Sequence, residues 1–150
     1  MNIASVLQAE RVWCQAPGGS KKRVLENLAE FAARSLPTLD AGTVLAQLIA
    51  RERLGSTGLG QGIAIPHCRL PDITQAIGIL ASLEAPVDFD APDDQPVDLL
   101  FVLMVPAEAT EAHLQLLGEL ATRFSDPAWC QRLRGADSAE ALFRAALEST

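Results

Sequence analysis

The sequence has 150 residues, of which 49% are hydrophobic and 21% are charged, and its formal net charge is -7. This length and apolar content are sufficient for a folded domain with a buried core, which excludes an intrinsically disordered chain. The acidic charge disfavours nucleic-acid binding, because the densest basic run is only Lys21–Arg23. Residues 1–10 do not resemble a signal peptide, and no apolar run approaches the roughly 18 residues that span a bilayer. We therefore expect a cytoplasmic protein that is not inserted into a membrane.

The N-terminal part of the sequence predicts a short strand at Val12–Cys14 followed by two capped helices. Ser20 is a typical N-cap residue, and the apolar residues after it recur at helical spacing until Pro37 ends the helix. Asp40 can cap a second helix in the same way. This second helix is expected to end near Arg51–Arg53, just before a run of glycines.

The middle of the sequence predicts a loop and several strands. Gly55–Gly62 reads as a glycine-rich loop, and Ile63–Ile65 as a short strand after it. Ile77–Leu83 is apolar and indicates a strand, while the alternating Val87–Asp90 is typical of an edge strand. Val97–Val105 is nearly all apolar, so we expect a central strand that is buried on both faces.

The C-terminal part predicts three helices. The first carries His113 at the start of its apolar stripe, and Asp126–Pro127 has the N-cap and first-turn proline of the second. Asp137 and Glu140 resemble a capping box for the third. Helices that flank strands at both ends of the chain predict an α/β (α+β) fold. We expect one domain over residues 1–150, with a mixed parallel and antiparallel sheet of about five strands flanked by helices.

The segment from residue 51 to residue 67 indicates an anion site. Arg51 lies in the last turn of a predicted helix, where a cation is favourable. The glycine-rich loop that follows can bring backbone N–H groups and hydroxyls close to an anion. The loop lacks the lysine of a Walker motif and the spacing of a dinucleotide fingerprint, so nucleotide binding is disfavoured. The loop residues expected to support a bound phosphate are Ser56, Thr57, Gly60 and Gly62.

The sequence contains only two histidines, His67 and His113. His113 falls in the first turn of a predicted helix, on the inward stripe, so its ring needs a partner or lines a cavity. Together with Arg51 and the glycine loop, the two rings suggest a phosphate pocket. The residues alone leave two alternatives open. His67 can be an ordinary surface residue, and His113 can be a buried histidine bonded to a backbone carbonyl.

Two segments resemble the signatures of the fructose/mannitol-type enzyme IIA family of the phosphotransferase system. The first is Arg51–His67, with the letters RERLGSTGLGQGIAIPH, and the second is Pro96–Pro106 followed by His113–Leu117. The resemblance extends over essentially the whole chain and is strongest to the freestanding nitrogen-regulatory branch of the family. It implies that His67 is the phosphorylated histidine, and that His113 and Arg51 complete the catalytic pocket. No cofactor and no metal are implied.

The resemblance also implies a relay of phosphoryl groups. Phosphoenolpyruvate phosphorylates an enzyme I, which phosphorylates an HPr-like carrier, which passes the group to Nε2 of His67. The expected output is regulatory, through target proteins such as components of potassium transport or sensor kinases. Two alternatives remain: a sugar-transport IIA that passes phosphate to a IIB partner, and an interaction module that is never phosphorylated.

Cys68 stands where the family usually has glycine, and Gln61 stands where it usually has asparagine. A hydrolase that uses Cys68 and His67 as a dyad is disfavoured, because adjacent side chains on an extended backbone point in opposite directions. The nearby cations Arg51 and Arg69 suggest a reactive thiol at Cys68 that makes the pocket sensitive to oxidation. The alternative is a buried, inert thiol.

Overall fold

The sheet is built around the apolar run near residue 100, which forms the central strand. A computed structural model describes residues 2–108 and 110–148 of the chain. The helices are α1 (Ile3–Val6), α2 (Lys21–Ser35), α3 (Ala41–Glu52), α4 (Glu111–Phe124), α5 (Pro127–Gly135) and α6 (Ala139–Leu147), with a 3₁₀ turn at Ala9–Arg11. The strands are β1 (Val12–Ala16), β2 (Gly58–Gly60), β3 (Ile63–Ala64), β4 (His67–Leu70), β5 (Ile77–Val87) and β6 (Val97–Pro106).

The six strands form one mixed sheet. Five of them follow the order β1-β5-β6-β3-β2, and β4 also pairs with β6. Strands β5 and β6 are antiparallel, whereas β1 runs parallel to β5. Strands β3 and β4 both lie on the other side of β6 and run parallel to it, one after the other along its length. This arrangement places the start of β4 beside the second half of β6.

Helices cover both faces of the sheet, because the side chains of β6 alternate between two apolar layers. Leu100, Val102 and Met104 belong to the layer under α2 and α3. Leu99, Phe101 and Leu103 belong to the layer under the C-terminal helices. All six side chains are buried, so β6 is covered on both faces, as its apolar sequence predicts. The predicted mixed α/β fold is confirmed.

Helix α2 begins after Ser20, whose hydroxyl accepts a hydrogen bond from the Arg23 backbone N–H, and α3 begins after Asp40 in the same way. The predicted caps of these two helices are therefore confirmed. The predicted cap of α6 is wrong. Ser138, and not Asp137, is the N-cap residue, and its side chain accepts from the Ala141 N–H.

Two predictions for the strands are also wrong. Val87–Asp90 does not form a separate edge strand, because β5 continues from Ile77 to Val87 and residues 88–90 are irregular. The pairing with β6 jumps from Ser82 to Val87, so the end of β5 bulges away from its neighbour. Gly55–Gly62 is not wholly a loop either, because Gly58–Gly60 forms β2 and pairs with β3.

Candidate functional site

His67 is the first residue of β4 and lies opposite Leu103 of β6. Its ring is half-buried. Nδ1 lies 2.8 Å from the backbone carbonyl oxygen of Ile65. A carbonyl oxygen only accepts hydrogen bonds, so Nδ1 carries the proton of the neutral ring and Nε2 carries the lone pair. His67 is therefore held in one tautomer, which an unconstrained surface histidine would not be.

Arg51 reaches this lone pair from the last turn of α3. Its Nε–H donates to Nε2 of His67 at 3.2 Å, and a second guanidinium N–H donates to the carbonyl oxygen of Gly55 at 2.9 Å. The first bond requires an unprotonated Nε2, in agreement with the tautomer set by Ile65. The second bond ties the guanidinium to the loop that leaves the helix.

The surroundings of His67 lower its pKa from the ordinary value of 6.5. Burial of the ring is the largest cause, and the positive charge of Arg51 acts in the same direction. The hydrogen bond to Ile65 and the charge of Glu52 oppose the change but are outweighed. The ring therefore stays neutral at physiological pH, with its lone pair on Nε2.

His113 lies on the same cavity as His67. Its Nδ1 accepts a hydrogen bond from the Thr110 backbone N–H at 3.0 Å. In the neutral ring the proton is then on Nε2, the reverse of the arrangement in His67. The ring is half-buried, and within the described residues it has no hydrogen bond to a backbone carbonyl, so this geometry does not support the alternative of a buried histidine satisfied by such a carbonyl. One histidine thus offers an acceptor at Nε2 and the other offers a donor.

The cavity that contains these residues has a volume of about 430 Å³ and lies between α3, α4 and the end of β6. None of its described lining residues is an aspartate or a glutamate, although the whole chain has 19 of them. Such a cavity suits an anion. The lining residues are Gln47, Ala50, Arg51, Leu54, His67, Cys68, Arg69, Leu103, Val105, His113, Leu114 and Leu117.

A smaller cavity of about 150 Å³ lies on another side of His67 and Arg51 and is lined by Ser56 and Thr57. The two hydroxyls are already used as donors: that of Ser56 to the Phe89 carbonyl oxygen at 2.7 Å, and that of Thr57 to Glu52. The Thr57 backbone N–H is also bonded to Glu52. Ser56 and Thr57 are therefore close to the site, but their hydroxyls are not free phosphate donors as the sequence suggested.

Gly60 and Gly62 line neither of the two cavities that contain His67 in the described part of the chain. They flank Gln61 in the turn between β2 and β3, where the φ angles are 93°, 58° and 84° in order. Glycine adopts such angles without strain, so the turn explains these two residues. The turn is fixed from outside by Asp93, which accepts from the Gln61 N–H at 2.8 Å. Their expected role in binding phosphate is not supported by this geometry.

Cys68 follows His67 in β4 and packs in the layer under α2 and α3, at the wall of the cavity. It is only 7% exposed, and burial raises the pKa of its thiol to about 12. Arg51 and Arg69 do not offset this effect. This burial argues against the expected reactive thiol and favours the alternative of an inert thiol.

Comparison with known proteins places this site in a family. The family model described as "Phosphoenolpyruvate-dependent sugar phosphotransferase system, EIIA 2" matches residues 5–149. The chain belongs to this EIIA 2 family. The match contains every residue of the cavity.

The similar proteins include several nitrogen regulatory proteins. That of Pseudomonas aeruginosa is 52% identical over 144 residues, which cover 96% of this chain and 94% of the relative. That of Escherichia coli is 47% identical over 149 residues, which cover 96% of this chain and 88% of the relative. The crystal structure of nitrogen regulatory protein IIA-Ntr from Neisseria meningitidis has a TM-score of 0.88 at 41% identity and covers 95% of this chain and 97% of that one. The crystal structure of IIA mannitol from Escherichia coli, at 20% identity and a TM-score of 0.76, shows the shared fold.

Glu52 of this EIIA-family chain was not predicted as a site residue from the sequence. The residue follows Arg51 at the end of α3, and its side chain is only 6% exposed. It accepts hydrogen bonds from Thr57 and pairs with Lys21 at 2.9 Å. Glutamates are common at the surface of helices, so the sequence alone gave no reason to single it out; only the folded chain brings Lys21 and Thr57 to it.

Proposed function

We propose that this EIIA-family protein is a phosphocarrier that accepts a phosphoryl group on Nε2 of His67 from an HPr-like carrier. The hydrogen bonds of the His67 ring are the observation that supports this most directly. Because Ile65 holds the proton on Nδ1 and the pKa is lowered, Nε2 is a neutral nucleophile without any further proton transfer. The family description names a phosphoenolpyruvate-dependent system. Phosphoenolpyruvate is a cytoplasmic metabolite, so the proposal includes a cytoplasmic location.

The transfer is an in-line exchange of one N–P bond for another. The lone pair on Nε2 of His67 attacks phosphorus as the bond from phosphorus to the carrier imidazole breaks, and that imidazole keeps the bonding electrons. Arg51 must first release Nε2, because its Nε–H occupies the lone pair in this structure. The freed guanidinium then faces the phosphoryl oxygens. His113, with its proton on Nε2, offers a second donor to the same oxygens.

We further propose that the output is regulatory. Phosphorylation adds a charge of about -1.5 to -2 at a cavity whose rim carries two exposed leucines, Leu54 at 84% and Leu114 at 61% exposure. Such a charge weakens an apolar contact and strengthens a contact with a basic surface. Two classes of partner can therefore distinguish the two forms. Components of potassium transport and sensor kinases are candidate targets.

The test is a mass measurement on the intact protein after incubation with phosphoenolpyruvate, enzyme I and an HPr-like carrier from the same source. We expect an increase of one phosphoryl group in the native protein and none in His67→Ala. Full labelling of His67→Ala would contradict the assignment. If the native protein stays unlabelled while the carrier is phosphorylated, the chain is an interaction module. Rapid loss of the label to an added IIB protein would instead indicate sugar transport.

A further inference from the structure

The end of α3 carries two adjacent charged residues with different partners. Arg51 is bonded to His67 and to the carbonyl oxygen of Gly55. Glu52 is bonded to Thr57, both at the backbone N–H, at 3.2 Å, and at the hydroxyl. The loop after α3 is thus bonded to the last turn of the helix at two residues, Gly55 and Thr57. A final helical turn frays easily when it has no such partners.

Glu52 is also paired with Lys21 in the first turn of α2. The Nζ atom of Lys21 lies 2.9 Å from Oε2 of Glu52 and 4.8 Å from the centre of the Phe89 ring. The same ammonium donates to the Phe89 carbonyl oxygen at 3.4 Å, to which Ser56 also donates. Four segments of the chain therefore meet at the ion pair of Lys21 and Glu52: α2, α3, the loop before β2, and the segment after β5. Because a buried carboxylate is stable only when its oxygens are paired, this arrangement fixes the geometry of all four.

We propose that Glu52 is a positioning residue for phosphoryl transfer. It holds the last turn of α3 and Thr57 so that the guanidinium of Arg51 stays beside Nε2 of His67, where it faces the phosphoryl oxygens once it has released that nitrogen. The inference rests on the proposed function and adds a residue to it. Glu52 is not among the residues that line the two cavities containing His67 in the described chain. It therefore acts through Arg51 and does not itself touch the phosphoryl group.

The test uses the double variant Glu52→Gln/Lys21→Met, which removes both charges and so leaves neither one buried alone. Thr57→Val is a milder second variant, which removes the hydroxyl that donates to Glu52. Asp98→Asn is the matched control. This substitution removes the charge of Asp98, whose carboxylate lies 2.9 Å from the Arg134 guanidinium. Arg134 also donates to the Gln61 carbonyl oxygen, and this ion pair lies outside the cavities that contain His67. Circular dichroism and thermal unfolding verify that each variant is folded.

The first measurement is the rate of labelling at saturating HPr-like carrier. We expect a loss of about tenfold in the double variant, a smaller loss in Thr57→Val and no change in Asp98→Asn. The deciding comparison repeats the double variant in an Arg51→Ala background. If Glu52 acts through Arg51, adding the double variant to Arg51→Ala changes the labelling rate by less than about twofold. An equal loss in both backgrounds, or no loss in either, would overturn the proposal.

The second measurement does not depend on phosphorylation and so separates this inference from the proposed function. The Nε–H proton of Arg51, bonded to His67, should give a nuclear magnetic resonance signal that exchanges slowly with water. We expect this protection to be lost in the double variant and retained in Asp98→Asn. If the native protein shows the protected signal and the double variant keeps it, Glu52 does not position Arg51, whether or not His67 accepts phosphate.

Discussion

At the scale of single residues, the hydrogen bonds of the two histidines give their rings opposite tautomers. The Ile65 carbonyl oxygen fixes the proton of His67 on Nδ1, and the Thr110 N–H fixes that of His113 on Nε2. The residue types were recognisable in the sequence, and so was their grouping with Arg51. The tautomers were not, because each depends on a backbone group whose direction is set only by the fold.

The lowered pKa of His67 gives a prediction for pH dependence. Burial of the ring and the charge of Arg51 favour the neutral form, so the ring should remain unprotonated at pH values where a free histidine is already half protonated. Titration of the ring protons by nuclear magnetic resonance, with His113→Gln used to assign the two histidines, should give a midpoint below 6.5 for His67. A midpoint at or above 6.5 would mean that the ring is not desolvated as described.

The burial of Cys68 predicts that the site is insensitive to mild oxidation. A thiol with a pKa of about 12 has almost no thiolate at neutral pH, and the thiolate is the form that peroxide attacks. The rate of phosphorylation should therefore be the same with and without dilute peroxide, both in the native protein and in Cys68→Gly. A peroxide effect that disappears in Cys68→Gly would show that the thiol is reactive after all.

At the scale of elements, the features that were predicted correctly are those that depend on residues close together in the sequence, such as helix caps and an apolar strand. The caps at Ser20 and Asp40 are confirmed, and so is the apolar core strand predicted at Val97–Val105, which is observed as Val97–Pro106. Strand β4 was not predicted, because its four residues pair with β6 more than thirty positions away. The extension of β5 through Pro86 was also missed. Its pairing with β1 ends at Leu83, so the missing N–H of Pro86 interrupts no described bond to β1.

The start of α6 gives a direct test of the corrected cap. The Ser138 side chain accepts from the Ala141 N–H at 3.1 Å, so Ser138→Ala should lower the free energy of unfolding by about 1 kcal/mol. Asp137→Ala removes the residue that the sequence suggested and should change it by no more than about 0.5 kcal/mol. Urea denaturation of the two variants measures both effects. A larger loss in Asp137→Ala would mean that the helix begins one residue earlier.

At the scale of the whole molecule, the chain is acidic but its candidate site is not. The net charge is -7, whereas the described lining of the His67 cavity contains arginines, histidines and apolar residues. Such a distribution favours anion binding at this cavity. No helix within residues 2–108 and 110–148 is long and apolar enough to cross a membrane. The proposed transfer from an HPr-like carrier requires that the two protein surfaces dock at this site.

This docking predicts a role for the exposed leucine at the cavity rim. Leu114→Ser should raise the KM for the HPr-like carrier several-fold without changing the maximal rate, because it removes apolar contact area and no group that touches phosphorus. Leu147→Ser is the matched control, since Leu147 is 39% exposed and does not line the cavity. Steady-state labelling at varied carrier concentration separates the two parameters. Equal KM values for both variants would place the docking surface elsewhere.

We propose that the hydrogen bonds of His67 direct phosphorylation to Nε2. The most direct test of this proposal is a long-range ¹H–¹⁵N correlation spectrum of the ¹⁵N-labelled protein after phosphorylation by the carrier. We expect a phosphoryl group on Nε2 of His67, with the proton still on Nδ1. A phosphoryl group on Nδ1 of His67, or on His113, would contradict it.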